Sequence, residues 1–288
     1  TGPPLVPLTP HLTTVKSTNT TVTTRPANFP TRIHIDRSAA KLSLRNQWSL
    51  TASILPVNPL AQDACAAVIT AGAALGLLRF FEELAKRQTF DQKLNRKLVH
   101  ILVGLVFMLF WPIFSSEWQA PLLAALAPGI NIFRMLFMGL GIIKNEAMVQ
   151  SISRHGDYRE LLKGPLYYAC TITLATSVFW RTSPVGMAAV CNLCAGDGLA
   201  DIIGRRFGKH KLTYNPDKSI EGSAAMALAG FVASVLYMHY FAIFGFIEES
   251  LGMVVRFFLL SFASAVVESL PISSELDDNL TVPLTSPR

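Results

Sequence analysis

Charge is scarce in this sequence, and acids are scarcer than bases. Only 15% of the 288 residues are Asp, Glu, Lys or Arg, with 19 acids against 25 bases, while 51% are hydrophobic. The mean hydropathy is positive. Such a balance excludes an ordinary soluble domain and points to a chain that crosses a membrane several times. Cysteine is also rare: Cys65, Cys170, Cys191 and Cys194 all fall inside apolar runs, which excludes a disulfide framework. Cys191 and Cys194 have the Cys-x-x-Cys spacing, but no second pair or nearby histidine accompanies them, so they read as small residues packed within a helix rather than as a zinc or redox site. Two nucleotide-binding signatures are missing, the Gly-x-x-x-x-Gly-Lys-Ser/Thr loop and the glycine loop with His-Arg-Asp. Any nucleotide site here is therefore of another kind. No convincing internal repeat is present.

Residues 1–58 hold a single acid, Asp36, among many Thr, Ser and Pro and the bases Lys16, Arg25, Arg32, Arg37, Lys41 and Arg45. A segment of this composition cannot bury a core, and hydroxyl-rich, acid-poor stretches with scattered arginines resemble organellar transit peptides. Without a clear amphipathic helix, the plastid is the favoured destination. The competing reading is a generic disordered tail. The initiator Met is missing, so the start is expected to be truncated. The expected division is thus 1–58, transit-peptide-like and disordered, and 59–288, a polytopic membrane domain.

Apolar runs of spanning length recur at 62–80, 98–114, 120–143, 165–180, 184–203, 222–244 and 252–270. The expected fold is an all-α multi-pass membrane protein with about seven transmembrane helices. The third run contains Pro128-Gly129 and Arg134, and the fifth carries two aspartates, so both are candidates for broken or re-entrant helices. Every second connection is basic: 79–97, 144–163 and 204–221 carry most of the lysines and arginines, whereas 115–119, 181–183 and 245–251 carry few. By the positive-inside rule the three basic connections share one face, and the tail after an odd seventh helix returns to it. This explains the net charge of +6 without nucleic acid.

The stretch from Cys194 to Gly208 carries the strongest chemical signal. An aspartate at the centre of a membrane helix costs about 2.5–3.5 kcal/mol, so Asp197 and Asp201 need a reason. Four residues apart, they share one helix face, where two carboxylates can hold Mg²⁺ on a nucleotide's phosphates. Arg205 continues that face, Arg206 follows it, and Gly196, Gly198, Gly204 and Gly208 keep the backbone open to phosphates. The alternative is a capping aspartate paired with Arg205 or Arg206. Downstream, Lys218-Ser219-Ile220-Glu221-Gly222-Ser223 offers Lys218 as a point charge for a phosphate and Ser219 as helix cap and donor, with Glu221 in the first turn. An ordinary capped helix start reads equally well. Upstream, Lys97 and His100 lie at the basic end of the second run, where His100 either orients a phosphate or hydroxyl or simply packs. Glu268, Asp277, Asp278 and Asn279 return oxygen ligands to the same face, unless they form a solvated acidic tail.

Four ordered motifs, Lys-Leu-Asn-Arg-Lys-Leu-Val-His (93–100), Gly-Asp-Gly-Leu-Ala-Asp-Ile-Ile-Gly-Arg-Arg-Phe-Gly (196–208), Tyr-Asn-Pro-Asp-Lys-Ser-Ile-Glu-Gly-Ser (214–223) and Val-Glu-Ser-Leu-Pro-Ile-Ser-Ser-Glu-Leu-Asp-Asp-Asn-Leu-Thr-Val-Pro-Leu (267–284), resemble the plant phytol kinase and farnesol kinase family of the polyprenol kinase group. The resemblance covers about 62–284. It implies a multi-pass chloroplast membrane enzyme that phosphorylates phytol, geranylgeraniol or farnesol with CTP and feeds tocopherol synthesis and isoprenoid salvage. It also implies a further apolar helix after the Asp-Asp-Asn motif, so the chain is expected to be truncated at its C-terminus. On this reading Asp197, Asp201 and Lys218 are catalytic. Gly196, Gly198, Arg205, Arg206, Ser219, Glu221, Lys97 and His100 contact the nucleotide, and Asp197, Asp201, Glu268, Asp277 and Asp278 hold Mg²⁺. The expected partners are CTP, a prenyl alcohol and the bilayer. Two rivals stand beside this reading: a membrane cytidylyltransferase acting on a lipid phosphate, and a transporter with intramembrane acids.

Overall fold

The computed structural model describes residues 58–271, together with Gly2. The transit-peptide-like stretch therefore lies almost wholly outside the described residues, as do Asp277, Asp278 and Asn279.

Among the described residues nine α-helices form the body: α1 (Pro59–Lys86), α2 (Gln92–Leu109), α3 (Ala120–Gly139), α4 (Glu146–Ile152), α5 (Gly164–Leu174), α6 (Pro184–Cys191), α7 (Asp197–Phe207), α8 (Ile220–Ile243) and α9 (Leu251–Ser269). Their starts follow local chemistry. Asn58, Asp91, Asn145, Ser219 and Ser250 each accept a backbone N–H of the helix they precede, which satisfies one of its free donors. A π-helical turn, Asn192–Gly196, joins α6 to α7 without a break, so Pro184–Phe207 runs as one helix.

Among the described residues six helices are long and apolar enough to cross a membrane: Pro59–Lys86, Gln92–Ile113, Ala120–Gly139, Pro184–Phe207, Ile220–Ile243 and Leu251–Ser269. The fourth expected run, 165–180, is shorter as α-helix. It changes after Leu174 into a π turn, Ala175–Phe179, that stops at Trp180 with φ +49°. Back-bonding hydroxyls explain the loosening: Thr173, Thr176 and Ser177 each donate to the carbonyl four residues earlier, at 2.7, 2.6 and 2.8 Å. The two runs suspected of breaks are continuous. Pro128 sits inside α3 without interrupting it, and the fifth run continues to Phe207, carrying Arg205 and Arg206 within the helix. The basic connection 79–97 is also mostly helix, since α1 reaches Lys86 and α2 begins at Gln92. The connection 204–221 folds its middle into a hairpin, β1 (Lys211–Leu212) with β2 (Asn215–Ser219), antiparallel.

The helix bearing the aspartates is the central one. Of its most apolar window 78% is buried, against 17–33% for the other five spanning helices. Met187, Val190, Cys191, Leu193 and Cys194 pack there with Trp111, Phe241 and Phe257. Cys191 and Cys194 are thus free, buried packing residues. At the opposite end from the basic face, Arg181 donates to the carbonyls of Trp111 and Phe114, both at 2.8 Å, and of Ser115, while Asp63 accepts from the Ser115 backbone and hydroxyl. Burial pushes the Arg181 guanidinium down to about 10, partly offset by Asp63. This knot ties the start of α1 to the α2–α3 and α5–α6 connections, leaving the other end of the bundle to the charged motifs.

Candidate active site

Asp197 opens α7 directly after the π turn, a local widening often found at functional sites. Its Oδ2 lies 2.8 Å from Lys97 Nζ and 3.1 Å from His100 Nε2, both on the first turns of α2. The Lys97 and Asp197 side chains are only 6% and 3% exposed, so this is a buried ion pair. His100 is held further by the Leu193 carbonyl, 2.8 Å from Nε2, and by Tyr168, whose hydroxyl donates to the His100 carbonyl at 2.8 Å and whose ring centre is 4.4 Å from the imidazole. One turn on, Asp201 Oδ2 meets Arg205 at 2.8 Å and Arg96 at 4.0 Å. Asp201 is more open, at 28% side-chain exposure.

A second charged pair sits on the hairpin and the last helix, where Lys218 binds Glu268 directly. The hairpin is docked there by Asn215, which donates to the Ser269 carbonyl at 3.0 Å, and by Tyr214 against the Ser269 hydroxyl at 2.8 Å. The two clusters are bridged by close packing of α7 on α8: a Cβ added to Gly222 would stand 3.2 Å from the Gly204 Cα and 3.1 Å from the Ala200 carbonyl. Small residues allow that approach.

The structure thus brings Lys97, His100 and Asp197 together, joins Asp201 to Arg205, and places Lys218 with Glu268. Several expected roles differ. Gly196 and Gly198 are buried, and a Cβ on Gly198 would collide with Ile101 at 2.2 Å, so these glycines serve helix packing rather than an open phosphate cradle. Ser219 is the helix cap it was expected to be, accepting the Gly222 N–H at 3.1 Å to start α8. Glu221 accepts from the His210 ring at 2.6 Å and from its backbone, which fastens the hairpin to α8. Arg206 is exposed and stacks on Phe207, with its guanidinium 5.9 Å from the ring centre. Glu268 faces Lys218 rather than the two aspartates. Arg96 and Tyr168 are additional residues of the centre. Arg96 had a signal, its position one turn before His100 on the same helix face; Tyr168 had none, because its role depends on how α5 packs against α2.

Four permanent cations, Arg96, Lys97, Arg205 and Lys218, face three carboxylates, Asp197, Asp201 and Glu268. The excess of positive charge suits a polyphosphate. Among the described residues no group of three or more His, Cys, Asp or Glu could hold a metal ion. The carboxylates differ in their fitness for Mg²⁺. Asp197 is already neutralised by Lys97 and His100 in a buried site, whereas Asp201 is more open and meets Arg205 at 2.8 Å and Arg96 at 4.0 Å. One partly exposed carboxylate suffices for Mg²⁺ that arrives with phosphates and keeps several waters.

Comparison with curated proteins decides the family. The chain is 67% identical over 84% of its length, and 80% of the relative's, to probable phytol kinase 2, chloroplastic, of Oryza sativa subsp. japonica. It belongs to the phytol kinase and farnesol kinase family. Farnesol kinase, chloroplastic, of Arabidopsis thaliana is 59% identical over 83% of this chain and 78% of its own. Phytol kinase 1, chloroplastic, of the same plant is 42% identical over 89% and 85%. No family profile and no solved structure matches. Family membership makes this chain an enzyme of the kinase class, located in the chloroplast as a multi-pass membrane protein.

Proposed function

We propose that this kinase phosphorylates a prenyl alcohol such as phytol, geranylgeraniol or farnesol, with CTP as donor, and that its prenyl phosphate feeds tocopherol synthesis and isoprenoid salvage. The substrate class rests on the names of its relatives. The observation that carries the site is the buried Lys97–Asp197–His100 cluster at the cation-rich end of a membrane bundle.

Phosphoryl transfer needs placement and charge neutralisation more than covalent chemistry. Arg96 and Arg205 flank Asp201, and Lys218 stands on the neighbouring hairpin, so these three cations receive the nucleotide phosphates. Lys97 is held by Asp197 and positions the first turns of α2 against α7. Mg²⁺ would be held by Asp201, with Asp277 and Asp278 as further oxygen ligands, and would neutralise charge on the phosphates. The prenyl chain stays among apolar helices while its hydroxyl meets the polar end. The names of the relatives, which refer to alcohols and not lipid phosphates, support a kinase over a cytidylyltransferase.

The test is to incubate purified membranes with CTP labelled at the γ-phosphate, Mg²⁺ and each alcohol. Labelled prenyl phosphate together with CDP is the expected outcome. Pyrophosphate with a CDP-lipid would establish the transferase instead, and no product from any prenyl alcohol would overturn the substrate assignment.

A further inference from the structure

His100 has a second side. While Nε2 faces Leu193 and Asp197, the residue also lines a cleft between α1, α2, α3, α4 and α5. Its walls are aliphatic, formed by Leu78, Val99, Val103, Met135 and Ile152. Its polar groups are few and specific: Arg96, His100, Asn131 and Tyr168. Two of them hold atoms with unmet hydrogen-bonding capacity, since Arg96 Nε, a donor, and Asn131 Oδ1, an acceptor, are buried without a partner. Leaving such atoms dry and unpaired costs about 1–3 kcal/mol each, which asks for a ligand that both accepts and donates. A hydroxyl on an apolar chain does both.

We infer that this cleft is the acceptor pocket, which holds the prenyl chain against α1, α2 and α3 and its hydroxyl between Arg96, Asn131 and His100. The inference rests on the proposed prenyl alcohol substrate and adds where that substrate sits and what takes its proton. The Leu193 carbonyl can only accept, so neutral His100 carries its proton on Nε2 and keeps a lone pair on Nδ1. Asp197 stabilises the imidazolium that forms when Nδ1 takes the hydroxyl proton. The alcohol oxygen then forms its bond to the terminal phosphorus as the bridging P–O bond breaks, and the nucleoside diphosphate leaves with the electron pair. The proton passes from His100 to water at the basic face. Arg96 links the halves of the site, since it lines the cleft and also faces Asp201.

The full-length chain in membranes tests this with a diazirine-bearing C20 prenyl alcohol and with C10, C15 and C20 alcohols as substrates. Photolabel is expected on the α2 and α3 peptides that hold Val103 and Met135, in competition with unlabelled prenyl alcohol; label confined to other helices overturns the pocket. Val103→Phe and Leu78→Phe are expected to raise the C20 KM about tenfold more than the C10 KM, with the nucleotide KM unchanged. An unchanged acceptor KM in inserted, active protein also overturns it. His100→Gln is expected to retain photolabelling while kcat falls about a hundredfold or more, and wild-type turnover would remove His100 from proton transfer. Photolabelling needs no turnover. Specific label in the cleft without any prenyl phosphate from the wild-type chain would therefore defeat the proposed reaction and leave the pocket standing.

Discussion

Lys97 Nζ stands 2.8 Å from Asp197 Oδ2, joining residues one hundred positions apart in a site that water scarcely reaches. Breaking such a pair strands a buried charge, at a cost of about 3–5 kcal/mol. Lys97→Met is therefore expected to destabilise the solubilised protein markedly. The double variant Lys97→Met with Asp197→Leu should recover most of that loss, since no charge remains to be stranded. Thermal unfolding in detergent measures both; equal stability of Lys97→Met and wild type would show that His100 alone compensates Asp197.

Asp201 offers the opposite case, because it and Arg205, its partner at 2.8 Å, are both partly exposed, and Arg96, the more buried neighbour, stands at 4.0 Å. Asp201→Asn is expected to leave the unfolding temperature within a few degrees of wild type. Its activity should fall at least tenfold, with more Mg²⁺ needed for half-maximal rate. Titrating Mg²⁺ at saturating CTP checks this, and an unaltered Mg²⁺ dependence would dismiss Asp201 as a ligand.

The pairing of Lys218 with Glu268 makes each residue's loss informative. Lys218→Ala should lower kcat/KM for the nucleotide about a hundredfold if the ammonium reaches phosphate in the transition state. Glu268→Gln should weaken the restraint on Lys218 and change the nucleotide KM by much less. Steady-state kinetics on the two variants separates these roles, and equal losses would make the pair structural.

Gly198 lies where α2 and α7 touch, and a Cβ there would come within 2.2 Å of Ile101. Gly198→Ala should therefore cost about 1–3 kcal/mol through overpacking. Ile101→Ala on the same chain should relieve the clash and restore part of the stability and activity. No rescue by the second change would mean that Gly198 matters for another reason.

Much of the architecture was legible without coordinates, and the reasons are local. A spanning helix announces itself by a sustained apolar run, because each residue's transfer free energy adds along the segment. Alternating charge in the connections then orders the helix ends onto two faces. The motifs around Asp197, Lys218 and His100 were equally visible, as charged residues at membrane depth or glycines beside acids. Less legible were the helix details, where the hydroxyls of Thr173, Thr176 and Ser177 loosened α5 and the hairpin formed within a stretch read only as a basic loop.

Sequence alone therefore determined that this chain is a membrane bundle with its basic connections on one face, and the four motifs pointed to the family. Which charge meets which was decided only by tertiary packing. Asp197 was read as a metal ligand and is held by Lys97 and His100; Lys218 and Glu268 were assigned to phosphate and metal and bind each other. Gly198 was read as open backbone and is filled by Ile101. The physical reason is sequence separation: partners 50 to 100 residues apart leave no periodic signal in the chain, and their pairing follows from how α2, α7, α8 and α9 pack.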